Sequence, residues 1–361
     1  MSAEPVEIWT EEPRGDYPDP ALFGLSGLEL LRTYSRSQSP RPPISHLIGT
    51  DFAGVGRGTA AFTMPAHPWL LSSVGLMTGG ALAPVADGAF GCAAQSELPP
   101  ATPYTTSELS MTFLRPVAPG GTLSASGQRI HIGRSVGLTE VFVIHEREGE
   151  ERLVAHGTSR LAVMPPLDPV PEPPAEIPVI EPPTFDSPDP YLREPVSGEV
   201  LPQEVFDRMS GREILEAQIV GELPLPPIHY LTGLTLVEVG DGEATHRLPC
   251  TKWLTSPART VQGGFTAMLA DVSLQAAVMT TVPAGIAFAG LDLKVNYLRP
   301  AQADGRDLTS KATVAHRGRT LAVANAEITN ADGKRVALAT GSCIYLPDRP
   351  ANLGELELPA S

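Results

Sequence analysis

The sequence predicts an α+β protein of two similar domains, each with a curled antiparallel sheet wrapped around one long central helix. Three observations lead to this prediction: an internal repeat, one long apolar segment in each half, and a series of β-rich segments that follows it. A run of strands beside a single helix, without regular strand–helix alternation, is typical of the α+β class.

The internal repeat relates residues that lie 184 positions apart, and it keeps this register across about ninety residues. It places SGLELL over SGREIL, PAHPWL over PCTKWL, and FLRP over YLRP. Solenoid repeats have only about 20 to 50 residues, so a repeat of this length describes whole domains. We therefore predict an N-terminal domain at residues 22–164 and a C-terminal domain at residues 206–347.

The segment between the two halves is dense in proline and acid, as in MPPLDPVPEPPAEIPVIEPP. Proline has no backbone N–H to contribute to a helix or a sheet, so such a segment runs extended. We predict a Pro-rich linker over residues 165–205. A spacer explains these prolines better than a ligand motif for SH3 or WW domains.

Each half follows the same order of predicted elements. A short amphipathic helix (residues 25–34 and 210–218) ends at a Pro-Pro pair, and alternating segments then predict strands (59–64 and 243–248). The apolar segment comes next, as a helix over residues 80–96 and 264–281, before four β-rich runs. Because that helix is apolar on nearly all sides, the sheet must curl around it.

Composition limits the classes of partner. The net charge of −15 and the pI near 5.0 argue against nucleic acid, which is bound through clustered Lys and Arg. The three cysteines form no CxxC pair, and their odd number fits a reducing compartment. We expect no metal site.

The N-terminus has neither the basic start nor the apolar run of a signal peptide, so we expect a cytoplasmic protein. The longest apolar stretch, residues 264–282, is about as long as a membrane span. Asp271 lies near its middle, which favours a buried helix over a membrane helix.

Two acids stand out because they lie inside these apolar segments. Asp87 and Asp271 are 184 residues apart, and neither has a basic residue on its own predicted helix. A buried carboxylate is costly unless it is paired, and such acids in clefts are candidates for a general base. A structural carboxylate is the alternative for either acid alone, but its occurrence at both equivalent positions favours function.

A glycine pair precedes each acid: Gly79-Gly80 in the first half and Gly263-Gly264 in the second. Glycine permits close approach of the backbone to a ligand, and free N–H groups at a helix start stabilise negative charge. These are the features of an oxyanion hole. A tight strand-to-helix turn explains either pair alone equally well.

Helix geometry separates each glycine pair from the acid that follows it. Gly263 and Asp271 are eight residues apart, which is roughly 12 Å along a helix with about 1.5 Å rise per residue. They cannot both contact one scissile carbonyl. If the two helices lie antiparallel across a pseudo-two-fold axis, two composite sites form, one from Gly79 with Asp271 and one from Gly263 with Asp87.

The segment QGGFTAMLADVSL, followed by DLKVNYLRP, HRGRTLAVANAEI and ATGSCIYL, resembles the hotdog-fold acyl-CoA thioesterases of the phenylacetate (PaaI) type. Their usual signature is His-Gly-Gly, an acid seven residues after the second glycine, and a strand that ends in a polar residue, an aromatic residue and xRP. The resemblance covers nearly all of the second half and, more faintly, the first. The tandem arrangement is similar to that of double-hotdog acyl-CoA thioesterases.

The resemblance implies roles for residues of both halves. The acids Asp271 and Asp87 would activate water or attack the thioester, and the amides of Gly263 and Gly79 would polarise its carbonyl. The implied substrate-site positions are Gly264, Gly80, Ser256 and Ser72. The family's histidine is replaced by Gln262 in the second half and by Thr78 in the first, which are the remaining candidate catalytic positions.

The two sites are not predicted to be equal. Pro84, Gly88 and Gly91 predict an irregular or shortened helix around Asp87, so we expect the site that uses Asp271 to be the stronger one. For the phosphates of coenzyme A the nearest basic candidates are Arg317, Arg319 and Arg134, followed by Arg299 and Arg115, although a solvated surface charge is the better explanation of each one alone.

Two other motifs are weaker. GVGRG at residues 54–58 predicts a hairpin turn and not a nucleotide loop, because β-type alternation follows it. Asp241 and His246 have the D-x4-H spacing of hotdog enoyl-CoA hydratases but lack the Asn-Pro inside that motif.

The predicted function is therefore hydrolysis of an acyl-CoA, with no cofactor because coenzyme A is part of the substrate. A non-catalytic acyl-CoA-binding or assembly protein is the alternative, and a hydratase is less favoured. Pairing of the outer sheet edges or faces into a homo-oligomer of pseudo-dimers is left open.

Overall fold

The computed structural model describes residues 6–352, and over these residues it forms one continuous sheet of 12 antiparallel strands. The strands are β1 (Asp51–Gly56), β2 (Thr59–Pro65), β3 (Tyr104–Phe113), β4 (Thr122–Ile132), β5 (Val136–Arg147), β6 (Glu150–Val163), β7 (Thr235–Gly240), β8 (Glu243–Pro249), β9 (Ala287–Tyr297), β10 (Asp307–Arg317), β11 (Leu321–Thr329) and β12 (Arg335–Leu346).

Helices lie on one side of this sheet or at its ends. They are α1 (Gly27–Ser35), α2 (Pro43–Ile48), α3 (Ala83–Gln95), α4 (Gln203–Arg208), α5 (Gly211–Ile219), α6 (Pro227–Thr232) and α7 (Gly263–Met279). Short 3-10 turns occur at Ile8–Thr10, Pro20–Gly24, Pro68–Leu70, Gly79–Leu82, Pro190–Leu192 and Lys252–Leu254.

The strand order shows the duplication directly. It is β1-β2-β4-β5-β6-β3 in the first half and β9-β12-β11-β10-β8-β7 in the second, joined where β3 pairs with β9. In that pair Ser110 lies opposite Lys294, the residue 184 positions away that is its own equivalent in the repeat. Only a two-fold axis places a position opposite its own copy, so the halves are related as the subunits of a symmetric dimer are.

Each half wraps its strands around one buried helix. Helix α7 has a uniformly apolar character, with buried side chains on all sides of it, and α3 is equally enclosed. The fold is therefore two hotdog domains in one chain, as the sequence predicts. The GVGRG segment forms the β1–β2 hairpin, also as predicted.

The Pro-Pro pairs differ from the prediction. Each was expected to end a helix, yet Pro43 and Pro227 lie in the first turns of α2 and α6. Proline is accepted there because the first N–H groups of a helix have no partner within it. The amphipathic helices α1 and α5 lie where the sequence predicts them.

The predicted linker runs as extended chain from residue 164 to residue 189, and most of its side chains are exposed. It is nevertheless attached: Ile180 N–H donates to Ser37 O, and Asp189 pairs with Arg14 and with His46. Its last residues form part of α4. Within residues 6–352 no helix has the length and apolarity needed to cross a membrane.

Candidate active site

Asp87 lies in the second turn of α3 and is buried. The helix is regular around Asp87, so the expected irregularity is absent there, whereas the expected shortening is present. Pro84 lies within the first turn, where its missing N–H costs no hydrogen bond. The first helix is shortened only at its start, where a 3-10 turn (Gly79–Leu82) precedes α3, so α3 has 13 residues and α7 has 17.

The carboxylate of Asp87 meets the N-terminus of α7, which belongs to the other half. The amide of Gly264 donates to Asp87 Oδ2 at 3.1 Å, and the amide of Gly263 also faces the carboxylate. Thr106 Oγ1 donates to Asp87 Oδ1 at 3.3 Å. Free amides and the positive end of the helix dipole stabilise a negative charge at this position.

The reciprocal contact joins Asp271 to the glycine pair of the first half. The amide of Gly80 donates to Asp271 Oδ2 at 2.8 Å. Each helix N-terminus thus meets the acid of the other helix, as an antiparallel arrangement requires. The sequence prediction paired the first glycine of each pair with the acid, whereas the hydrogen bond comes from the second.

Both second glycines are required by close packing. A Cβ at Gly264 would lie 2.5 Å from Pro84 Cα, and one at Gly80 would lie 2.6 Å from Asp271 Cβ. Neither neighbour can move aside, because one is backbone and the other is the first side-chain atom of a buried helix. The glycines therefore allow the two helices to approach closely enough for these hydrogen bonds.

Burial raises the pKa of both acids to about 6. Hydrogen bonds limit the rise at each site: the amide of Gly264 acts on Asp87, and the amide of Gly80 and the side chain of Gln275 act on Asp271. A carboxylate with a pKa near 6 is ionised at neutral pH and is still basic enough to accept a proton.

The two sites differ in the space beside the acid. Asp87 borders a cavity of about 820 Å³, together with Gly263, Gln262 and Ser256. Phe52, Phe62, Leu30 and Leu31 contribute an apolar wall. This cavity is large enough for a bound organic ligand.

The cavity near Asp271 is much smaller, at about 140 Å³, and Asp271 does not border it. Gln275 lies between them, donating from Nε2 to Asp271 Oδ2 at 2.6 Å. Ser72 and Thr78 border this cavity, but their hydroxyls are used locally: Ser72 donates to Leu76 O, and Thr78 accepts from Ala81 N–H. This carboxylate is enclosed by protein.

The two sites differ at three equivalent positions, and the first of these changes the space beside the acid. Gln275 stands where the first half has Gly91, so a long side chain fills the space beside Asp271. Gly290 stands where the first half has Thr106, which removes a hydrogen-bond donor. Phe113 stands where the second half has Tyr297, and its ring lies within 2.6 Å of the position of a Cβ on Gly79.

Two further side chains hold the N-terminus of α7 at the larger cavity. Gln262 Nε2 donates to Pro84 O at 3.0 Å, and Tyr297 Oη donates to Gly263 O at 2.8 Å. Gln262 therefore belongs to the site of Asp87 and not to that of Asp271. Tyr297 is not among the predicted site residues, although it is the aromatic residue before LRP in the matching motif.

Arg317, Arg319 and Arg134 do not border either cavity, whereas the secondary candidate Arg299 borders the larger one. Arg317 donates to Thr281 O at 2.6 Å, and Arg319 and Arg134 are exposed in hairpin turns. Hairpin ends project away from the central helices, so contact of these three arginines with coenzyme A stays a prediction. Of the described residues, Arg41 and Arg299 are the basic ones that border the large cavity.

Other chemistry finds little support within residues 6–352. That part of the chain contains no cluster of three His, Cys, Asp or Glu residues able to hold a metal ion, and its three cysteines are free. His246 is buried in β8, whereas Asp241 is exposed in the β7–β8 turn, so the two residues of the hydratase spacing do not form one site.

Comparisons with known proteins identify the family of the chain. The model of the thioesterase superfamily matches the chain twice, at residues 74–151 and 259–337. Human acyl-coenzyme A thioesterase 13 is 31% identical over 105 residues, which are 29% of this chain and 74% of that protein. The acyl-coenzyme A thioesterase PaaI of Escherichia coli is 30% identical over 101 residues, 28% of this chain and 70% of that protein.

A solved structure shows the tandem fold. The tesB protein of Mycobacterium avium subspecies paratuberculosis matches with a TM-score of 0.52 and 13% identity, over 84% of this chain and 98% of that chain. The double match of the family model falls on the two halves that the repeat defines. The chain therefore belongs to the thioesterase superfamily, a family of thioester hydrolases, with two hotdog domains in tandem.

Proposed function

We propose that the protein hydrolyses an acyl-CoA to the free acid and coenzyme A, and that it does so at the site of Asp87. One observation carries this proposal: the carboxylate of Asp87, held by Gly264 N–H at 3.1 Å, borders a cavity of about 820 Å³. The substrate class rests on the names of the relatives, which are acyl-coenzyme A thioesterases.

The sequence ranks the site of Asp271 first, and we rank the two sites in the opposite order. That first ranking treats the regular helix α7 and Gln262 as properties of one site. In a composite site they are divided, because α7 gives Asp271 to one site and Gly263 and Gln262 to the other. The site of Asp87 therefore has space beside its acid, and its helix N-terminus is that of α7, with Gln262 and Gly263.

In the proposed reaction Asp87 acts as a general base. Its carboxylate takes a proton from a water molecule, whose oxygen attacks the thioester carbonyl carbon. The resulting tetrahedral intermediate collapses as the C–S bond breaks. The departing thiolate of coenzyme A takes this proton from Asp87, which restores the carboxylate, and the carboxylic acid product is released.

The negative charge that develops on the carbonyl oxygen needs a hydrogen-bond donor. Gly264 N–H donates to Asp87, and the amide of Gly263 faces the same carboxylate. We assign the oxyanion to the amide of Gly263, at the positive end of α7, where the carbonyl oxygen would take the place of Asp87 as its partner. Tyr297, through its bond to Gly263 O, and Gln262, through its bond to Pro84 O, fix the position of this amide. Both are positioning residues.

The lining of the large cavity fits the two parts of an acyl-CoA. Phe52, Phe62 and Leu30 supply an apolar surface for the acyl group, and Ser256 borders the same cavity. Arg41 and Arg299 supply positive charge for the phosphates of coenzyme A. We propose these two in place of Arg317, Arg319 and Arg134, and Arg299 is also among the secondary candidates that the sequence suggests.

A panel of acyl-CoAs of increasing length, with aromatic members, tests the proposal through release of free coenzyme A thiol. We expect turnover on at least one member. Binding of acyl-CoA by the folded protein without turnover on any member would contradict it and would support the alternative of a non-catalytic acyl-CoA binder.

A further inference from the structure

The large cavity beside Asp87 extends along one face of α3. All but three residues of this helix are buried, and the three that keep accessible surface are Gly88, Cys92 and Gln95. Their spacing of four and three residues places them on one side of the helix, and all three border the cavity. The cavity therefore follows α3 from the acid to Gln95, which is roughly 12 Å at about 1.5 Å rise per residue.

Aromatic rings form one side of the cavity along this face. Phe62 lies against Gly88, where an added Cβ would come within 3.3 Å of its ring. The ring centroid of Phe62 is 5.1 Å from that of Phe52, which in turn is 5.9 Å from that of Tyr34. This row of rings begins near the acid with two phenyl groups and ends with a phenol.

Strand β3 contributes a second side, which also becomes polar away from the acid. Thr106 Oγ1 donates to Asp87, and two residues earlier Tyr104 Oη donates to Gln95 Oε1 at 3.3 Å. A Cβ on Gly91 would lie 3.0 Å from Tyr104 Oη, so this hydroxyl lies over the helix between the acid and Gln95. The end of the cavity away from Asp87 therefore offers hydrogen-bonding groups.

Four uncharged polar side chains form this end of the cavity, and we call them the distal cluster: Tyr34, Cys92, Gln95 and Tyr104. Burial raises the pKa of Tyr34 and of Tyr104 well above the usual range, and the nearby Cys92 thiol adds to both rises. Burial also raises the pKa of Cys92 to about 12. All four groups are therefore neutral at pH 7 and offer hydrogen bonds without a counter-charge.

The distal cluster has hydrogen-bonding capacity that the fold does not use. Within residues 6–352, neither Tyr34 Oη nor Gln95 Nε2 has a hydrogen-bond partner. Tyr34 is surrounded by protein and yet keeps some accessible surface, as a side chain that lines a cavity does. These two groups are available to a ligand in the cavity.

The second half of the chain shows that the fold does not require the distal cluster. Three of its four positions are apolar there and line the small cavity, with Phe288 for Tyr104, Met279 for Gln95 and Ala276 for Cys92. Gln218 stands where the first half has Tyr34, and its amide is used in hydrogen bonds to protein. The unused polar groups thus occur only in the half that keeps space beside its acid.

We infer that the acyl group lies along this face of α3 and that its distal end carries a hydroxyl, which bonds within the distal cluster. Tyr34 and Tyr104 are then specificity-determining residues that select the acyl group. The inference rests on the proposed hydrolysis at Asp87. Gly91 and Gln95 are four and eight residues beyond the acid, so the hydroxyl belongs roughly 6 to 12 Å from it along the helix axis.

A matched pair of substrates tests the inference. In 6-hydroxyhexanoyl-CoA and heptanoyl-CoA the acyl chains have the same number of chain atoms, and they differ only in a terminal hydroxyl in place of a methyl group. The ratio of kcat/KM for the hydroxylated to the apolar substrate is expected to fall by about fivefold or more in the double variant Tyr34→Phe/Tyr104→Phe, as loss of one hydrogen bond predicts.

Tyr345→Phe is the control for this double variant, because Tyr345 borders neither cavity and its substitution should leave the ratio unchanged. Gln95→Met, which copies Met279 of the second half, is the second variant and should lower the ratio in the same direction. An unchanged ratio in variants that keep the wild-type melting temperature would overturn the inference.

Binding separates this inference from the proposed hydrolysis. Isothermal titration calorimetry of both acyl-CoAs, with Asp87→Asn as the background, reports the distal contact without the reaction. A fall in the affinity ratio on adding the double variant supports the inference even where the wild type releases no thiol. Turnover of both substrates with a ratio that the double variant does not change would retain hydrolysis and overturn the inference, and absence of binding of either acyl-CoA would overturn both.

Discussion

Gly264 N–H donates to Asp87 Oδ2 at 3.1 Å, although the two residues lie 177 positions apart and on different halves of the chain. Gly80 and Asp271 repeat this contact in the opposite direction at 2.8 Å. Each half contains one acid and one glycine pair, but the glycine amide that contacts each acid comes from the other half. The duplication therefore places within one chain what a symmetric dimer would build from two.

The pH dependence of hydrolysis follows from the pKa of Asp87, which burial raises to about 6. A general base must be ionised, so kcat/KM should rise about tenfold per pH unit below pH 6 and level off above pH 7. Steady-state assays between pH 4.5 and 8.5 measure this profile. A rate that stays flat through pH 6 would exclude Asp87 as the titrating base.

The raised pKa of Asp87 also predicts how the free energy of unfolding changes with pH. A carboxyl whose folded pKa lies above its ordinary value of 3.8 stabilises the fold fully below pH 3.8, and this stability is lost as pH rises to about 6. The variant Asp87→Asn replaces this carboxyl with an amide, which does not titrate. Its free energy of unfolding, relative to the wild type, should therefore increase between pH 4 and pH 7, by up to about 3 kcal/mol.

Urea unfolding at the two pH values measures that change. Glu148→Gln is the control, because Glu148 is an exposed residue of the β5–β6 turn and its substitution should leave the difference near zero. A relative stability of Asp87→Asn that decreases with rising pH would contradict the raised pKa.

Gly264→Ala tests the close approach of the two central helices. The added Cβ would lie 2.5 Å from Pro84 Cα, so α7 must move away from α3 and the bond to Asp87 must lengthen. We expect a destabilisation of about 1 to 3 kcal/mol and a loss of activity larger than the stability change accounts for. Gly54→Ala is the control, since no atom lies within 4 Å of its Cβ position. Retention of full activity by Gly264→Ala would contradict the assigned contact.

Tyr297→Phe removes the hydroxyl that bonds to Gly263 O at 2.8 Å. The first half has Phe113 at the equivalent position, so the ring itself should fit. We expect kcat to fall by about three- to tenfold with little change in KM, because a positioning bond worth about 1 kcal/mol is lost. Tyr345→Phe, which removes a bond to Thr281 instead, should leave kcat unchanged. An equal effect of the two variants would show that Tyr297 has only a structural role.

The repeat made much of this architecture predictable. The 184-residue register, the apolar helix in each half and the β-rich runs predict two hotdog domains, and helix rise alone predicts that each acid meets the other half. These features depend on periodicity and on distances along one helix, which the sequence contains.

The difference between the two sites was not predictable in the same way. Whether Asp87 or Asp271 has space beside it depends on Gln275 and Gly91, which lie on two different helices. Pro84 was also misjudged, because its effect depends on whether it lies inside a helix or in the first turn. Arg317, Arg319 and Arg134 lie away from both cavities because hairpin turns project in directions that spacing does not define.

The most direct test of this account compares Asp87→Asn with Asp271→Asn on the same acyl-CoA. We expect Asp87→Asn to lower kcat by at least about 10²-fold, as loss of a general base predicts, and Asp271→Asn to change it by less than about threefold. Circular dichroism and melting temperature establish that both variants are folded. A larger loss in Asp271→Asn, or equal losses in the two variants, would contradict the assignment of catalysis to the Asp87 site.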